Sequence, residues 1–154
     1  MPSLTEHLAV PFTFRAREAP LPPDMRITWR LPVLLLLLNK CHGDAATPAQ
    51  AHVLNWAIRS KEGQLAFIRA YQGNPRLEDV IQRFDPTLDR ALNFAVGCGL
   101  VQWTPSGRLR LSETGLRLLG EIKTVPIFED EKRFLETIPG KFSQTRLDSM
   151  VRLV

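Results

Sequence analysis

Apolar and polar positions change rhythm several times along the chain, and each rhythm predicts an element. Leu31 to Leu38 is apolar apart from Pro32. That run predicts a helix starting near Pro32, a proline accepted in a first turn, reaching about Cys41 and stopped by Gly43. Being apolar all round, the helix is expected to be the central element of the fold. Thr47-Pro48-Ala49-Gln50 combines an N-cap threonine, a first-turn proline and a glutamine three residues on. This is the capping-box pattern, and it predicts a helix from Pro48 to about Ser60. Its apolar positions Val53, Leu54, Trp56, Ala57 and Ile58 spread over more than half of the circumference, so two neighbours are expected. A shorter helix over Gln64–Tyr71 leads to a break at Gly73-Asn74-Pro75.

The second half is more cleanly periodic. Leu77, Val80, Ile81 and Phe84 stand at i, i+3, i+4 and i+7 of an amphipathic helix that stops at Asp85-Pro86. Asp85 as N-cap and Pro86 as first residue predict the next helix, to about Cys98, with Leu88, Ala91, Leu92, Ala95 and Val96 on its buried stripe and Gly99 closing it. Leu100–Thr104 and Arg108–Ser112 alternate around Pro105-Ser106-Gly107, the pattern of a β-hairpin. Arg108 and Arg110 share one face of it and Leu109 and Leu111 the other. Ser112-Glu113-Thr114 then caps a helix carrying Leu116, Leu119 and Ile122, broken at Val125-Pro126. The remainder predicts a helix around Glu129–Thr137, a turn at Pro139-Gly140 and a last helix from Ser143 with Leu147, Met150, Val151 and Val154 on one stripe.

The predicted fold is therefore mainly α with a small β-hairpin. Helix, tight turn, helix, glycine, hairpin and helix across 77–122 follow the winged helix-turn-helix order, with Pro86–Cys98 in the recognition-helix position and Leu100–Ser112 as the wing. Extra helices precede this core and a helical tail follows it. Residues 1–24, with Pro2, Pro11, Pro20, Pro22 and Pro23, are expected to form an extended arm. Residues 25–122 form the helical winged-helix domain and 123–154 the C-terminal tail.

Charge changes the picture once it is divided by segment. The net charge is +4 over 154 residues, with a pI near 9.5, which invites a nucleic-acid reading. Residues 1–76 carry nine Lys/Arg against five Asp/Glu, which is the whole excess, whereas 77–123 (six against six) and 124–154 (five against five) are neutral. The module with the shape of a DNA reader thus has no net charge. Two distant cysteines, Cys41 and Cys98, behind no charged-then-apolar leader indicate neither a disulfide framework nor secretion. A cytoplasmic location is expected. The run Leu31–Leu38 is far shorter than the roughly 20 residues of a membrane crossing, and no membrane partner is expected.

At 100° per residue, a helix that buries Leu88, Leu92, Ala95 and Val96 turns Arg90, Asn93 and Phe94 outward, with Asp89 flanking. One Arg, one Asn, an acid and a Phe make a poor groove reader. Arg108 and Arg110 on the wing, together with Arg90, are the candidate phosphate contacts; the plainer account of the wing pair is a solvated basic strand face. Phe94, Trp103, Leu147, Met150 and Val151 form the candidate partner-binding set. Two alternatives stay open here: Trp103 as a cross-strand core residue, and the terminal helix folding back on its own domain. Cys41, His42, His52 and Cys98 match no zinc spacing, the acidic clusters fall on polar helix faces, and no nucleotide, nucleophile-elbow or metalloprotease motif occurs. No cofactor, metal or catalytic residue is expected.

Trp29-Arg30-Leu31-Pro32-Val33-Leu34-Leu35-Leu36-Leu37-Leu38, Gln50 to Ser60 and the winged segment resemble the middle component of bacterial three-component ABC-ATPase (Lamassu-type) defence operons. The resemblance covers roughly residues 25–122. It implies a small non-enzymatic subunit bridging an SMC-like ATPase subunit and a nuclease effector subunit, helping to hold the effector inactive until foreign DNA is sensed. DNA contact would then be non-specific. A winged-helix DNA-binding transcriptional regulator is the alternative.

Overall fold

A computed structural model describes residues 26–76 and 84–152. The arm 1–24, the predicted helix from Leu77 up to residue 83, and Val154 lie outside the described residues. Among them the chain is mainly helical with a small antiparallel sheet. In order it forms α1 (Ile27–Lys40), a 3-10 turn (His42–Asp44), β1 (Ala45–Ala46), α2 (Pro48–Ile58), α3 (Lys61–Tyr71) and α4 (Pro86–Gly97). Then come β2 (Val101–Trp103), β3 (Leu109–Leu111), α5 (Glu113–Thr124), α6 (Glu129–Thr137) and α7 (Gln144–Val151).

Helix α1 is the spine, as its all-round apolar pattern requires. Val33 through Leu38 are all buried, and the helix packs on α2, α4, α5 and α6. It begins at Ile27, earlier than expected, so Pro32 lies inside it. The bond that Pro32 cannot make would end at the carbonyl of Thr28, an exposed residue near the helix start, where water can replace it. Helix α2 begins as the capping box predicts: the Thr47 hydroxyl accepts from the Gln50 amide at 3.2 Å, and the Gln50 side chain accepts from the Thr47 amide at 3.0 Å. Helix α3 starts at Lys61 rather than Gln64, because Ser60 caps it by accepting from Gly63 N.

Asp85 and Pro86 open α4, and Leu88, Ala91, Leu92 and Ala95 bury its stripe. Gly99, at φ 69°, ends it and lets Leu100 N donate to the Ala95 carbonyl at 2.9 Å. The hairpin pairs Val101 with Leu111 and Trp103 with Leu109. A third strand was not expected: Ala45-Ala46 joins the outer edge of β3, giving the order β1-β3-β2. Two residues of alanine are too short to show period-2 alternation, so only the partner strand reveals them. In α5, Leu119 and Ile122 are buried as expected, but Leu116 is exposed and Gly115 takes the inner position, against the Leu100 backbone.

The C-terminal segment belongs to the same core. Phe134, Leu135, Phe142, Leu147 and Met150 join the cluster built on α1, and α7 lies across α2 and α3. Phe67, Tyr71, Phe134 and Phe142 form an aromatic group with ring centroids 5.3–5.8 Å apart. No helix among the described residues is long and apolar enough to cross a membrane.

Candidate functional site

The outer face of α4 carries the residues its periodicity assigns to it. Arg90, Asn93 and Phe94 are exposed, Phe94 at 50%. On the neighbouring β2, Trp103 is 53% exposed although it stands opposite the fully buried Leu109 and shares that face of the sheet. It stands beside the turn, at the opposite end of the hairpin from the Val101–Leu111 pair. Helix α4 packs directly on β2, so both large apolar groups belong to one helix–hairpin unit.

The basic residues divide. Arg110 is exposed, opposite Gln102 in the register, and Arg90 is exposed on α4. Arg108 is half-buried and turns part of its guanidinium into the chain. Its Nη2 donates to the carbonyl of Ala45 and, at 3.4 Å, to that of His42, and its Nε is buried without a partner. The guanidinium thus ties β1 and the turn before it to the hairpin.

Three further candidates pack within this chain. Leu147 and Met150 are buried within this chain, at 1% and 6% exposure, and Val151 is half-buried against the same core. Folding back won because α7 has polar anchors at both ends of its path. Gln50 Nε2 donates to Asp148 at 2.6 Å, and Ser143 N donates to the Tyr71 hydroxyl at 2.8 Å. The Arg146 guanidinium lies 5.1 Å from the centre of the Tyr71 ring.

Beneath the outer face of α4 lies a polar cluster that periodicity did not predict. Arg30, only 3% exposed, meets Asp85 at 2.9 Å, and Asn55 and Arg59 reach the same carboxylate oxygen at 3.3 and 3.4 Å. The other oxygen accepts from Thr87 N at 3.0 Å and Thr87 Oγ1 at 2.5 Å. Burial alone would push the Asp85 carboxyl up; the Thr87 hydrogen bonds and Arg30 outweigh it and hold the group down at about 2. One step along, buried His52 meets Asp89 through Nε2 at 3.0 Å and stacks on Phe84, with centroids 4.8 Å apart. The available signal was a lone arginine in the apolar run of α1, which cannot be buried without a carboxylate.

No thiol is poised for chemistry beside these groups. Burial pushes the Cys41 thiol up to about 12, and its Sγ donates to the Leu37 carbonyl at 3.3 Å. Such a thiol is a poor nucleophile. No grouping of three metal-ligating side chains occurs among the described residues. The chain matches no protein-family model, no curated protein and no solved structure.

Proposed function

We propose that this chain is a non-enzymatic adaptor with a winged-helix core, docking a protein partner on the outer face of α4 and the adjoining hairpin. The observation that carries this reading is the half-exposure of both Phe94 and Trp103 on one packed helix–hairpin unit. Large aromatic side chains left half in water are common anchors of an interface. The α4 face is otherwise poor in donors for base edges, and Arg108 turns part of its guanidinium into the chain. Joined to the resemblance in the helical segments, the reading becomes a cytoplasmic subunit that bridges an SMC-like ATPase and a nuclease effector in a prokaryotic defence complex.

Co-expression of the full chain with an SMC-like ATPase encoded beside it is the test. Co-purification that is lost in a Phe94→Ser, Trp103→Ser double variant supports the adaptor. A chain that stays a solitary monomer beside that ATPase sinks it. Exposed Arg90 and Arg110 favour the second reading, a winged-helix regulator. A salt-dependent duplex-DNA shift abolished by Arg90→Ala with Arg110→Ala would establish it in place of the first.

A further inference from the structure

Helix α5 buries Gly115, Leu119 and Ile122 and leaves its opposite side to water. That side carries Glu113, Leu116, Arg117, Gly120, Glu121 and Thr124, all exposed, Leu116 at 42%. We propose that this face of α5 pairs antiparallel with the same face of a second copy of the chain, about a two-fold axis that passes between residues 118 and 119.

Charge on this face is complementary to itself. Arg117 stands one turn from both Glu113 and Glu121, yet pairs with neither; its guanidinium donates only to Thr114 Oγ1, at 3.4 Å. The carboxylates of Glu113 and Glu121 hold no ion pair among the described residues. In an antiparallel pair, a residue before the axis meets the one an equal distance after it on the other copy. Arg117 therefore comes level with the second copy's Glu121, and symmetry makes the contact twice. Parallel pairing would instead set Arg117 against Arg117 and Glu121 against Glu121, so the charges select the antiparallel arrangement.

The uncharged positions fit the same axis. Leu116 comes level with the second copy's Gly120, and Gly120 with its Leu116. Nothing within the chain requires glycine at 120: a Cβ there would meet no atom within 4 Å, and its φ is not positive. A glycine inside a helix weakens that helix relative to alanine. Here it leaves a hollow one turn from an exposed leucine, into which the second copy's Leu116 packs, as a ridge of one helix packs into a groove of another. The centres of the Leu116–Gly120 and Arg117–Glu121 pairings differ by one residue, about 1.5 Å of helix rise, which an arginine side chain spans. Glu113 falls at the rim, level with the second copy's Thr124.

Sedimentation equilibrium of the full chain from about 5 to about 500 µM tests the pairing, because a single helix face is a small interface and so a weak one. A monomer–dimer equilibrium is expected. Arg117→Glu and Glu121→Arg should each weaken it about tenfold, since each sets like charges together twice. Mixed in equal amounts, the two variants should form a dimer again, because every such contact then joins Arg to Glu. Gly120→Leu should abolish pairing without loss of helix signal, because the position has open space within its own chain. A chain monomeric throughout, a dimer that survives both reversals, or reversals that mixing does not repair overturns the proposal. Phe94→Ser with Trp103→Ser lies off α5 and should leave the dimer intact, so this inference and the adaptor reading fail separately.

Discussion

Arg30 on α1 and Asp85 at the start of α4 meet at 2.9 Å with side chains 3% and 12% exposed, and this contact joins the spine of the fold to the helix that carries its outer aromatic face. Asp85 serves two ends at once. One oxygen caps α4 through Thr87, and the other receives Arg30, Asn55 and Arg59.

Replacing Asp85 by Asn therefore removes a charge from a buried arginine while keeping a capping side chain. The expected loss is about 3 kcal/mol, the range for a buried pair broken on one side, read as a lower urea midpoint at pH 7. Asn, a good N-cap, should leave the helix content at 222 nm unchanged. An unchanged midpoint would mean that Arg30 finds equal solvation elsewhere.

The same carboxylate sets an acid limit on stability. Its folded value of about 2 lies below the ordinary 3.8, so the unfolded chain binds the proton more readily. The stabilisation is complete above about pH 4 and is lost as the pH falls through 2. The shift corresponds to about 2 kcal/mol. Urea midpoints measured from pH 5 down to pH 2 should fall in the wild type more steeply than in Asp85→Asn, and parallel slopes would assign the acid limb to other groups.

Gly115 gives a purely steric prediction. A Cβ at this position would fall on the Leu100 carbonyl oxygen, a backbone atom that also accepts from Ser112 N at 3.0 Å. Neither α5 nor β2 can move without breaking that hairpin bond. Gly115→Ala should cost about 2 kcal/mol or more, although alanine is the better helix former. Gly120→Ala on the same helix, where nothing lies within 4 Å, is the control and should be neutral or stabilising by a few tenths of a kcal/mol.

The elements were legible where one residue decides them alone. Thr47 with Gln50, Asp85 with Pro86, Gly99, and Ser112 mark helix ends through hydrogen bonds confined to three or four neighbours, and all are found where their sequence places them. What was not legible depends on distant partners. Ala45-Ala46 is a strand only because β3 lies beside it, Arg108 turns inward only because β1 brings carbonyls to it, and Leu147 is buried only because α2 and α3 offer Gln50 and Tyr71. The candidate face divides the same way. Phe94 follows from helical period, whereas the exposure of Trp103 depends on how far the hairpin extends beyond the core.

The two cysteines should separate cleanly by reactivity. Cys98 is exposed at the end of α4, while Cys41 is buried with its thiol pushed up to about 12. Iodoacetamide at pH 8 should therefore label one site in the folded chain, Cys98, and both in urea. Mass mapping of the labelled peptide decides it, and labelling of Cys41 without denaturant would show that the α1 C-terminus opens locally.

The docking of α7 rests on a contact that can be removed from the surface side. Gln50 is fully buried and divides its amide between the capping box of α2, through Oε1, and Asp148, through Nε2. A carboxylate acceptor at 2.6 Å makes this a charge-assisted bond, and its loss leaves a buried N–H donor unpaired. Asp148→Ala should cost about 1–3 kcal/mol, against the smaller effect of Ser149→Ala one residue on, where the hydroxyl only returns to the Arg146 carbonyl on the exposed side. The damage should be local before it is global. Amide exchange of residues 144–151 should accelerate about tenfold or more in Asp148→Ala while α1 keeps its protection, because the tail opens as its own unit once the polar anchor is gone. Uniform acceleration across α1 and α7 would instead mean that the tail and the spine unfold as one, with Leu147 and Met150 holding the helix by apolar burial alone.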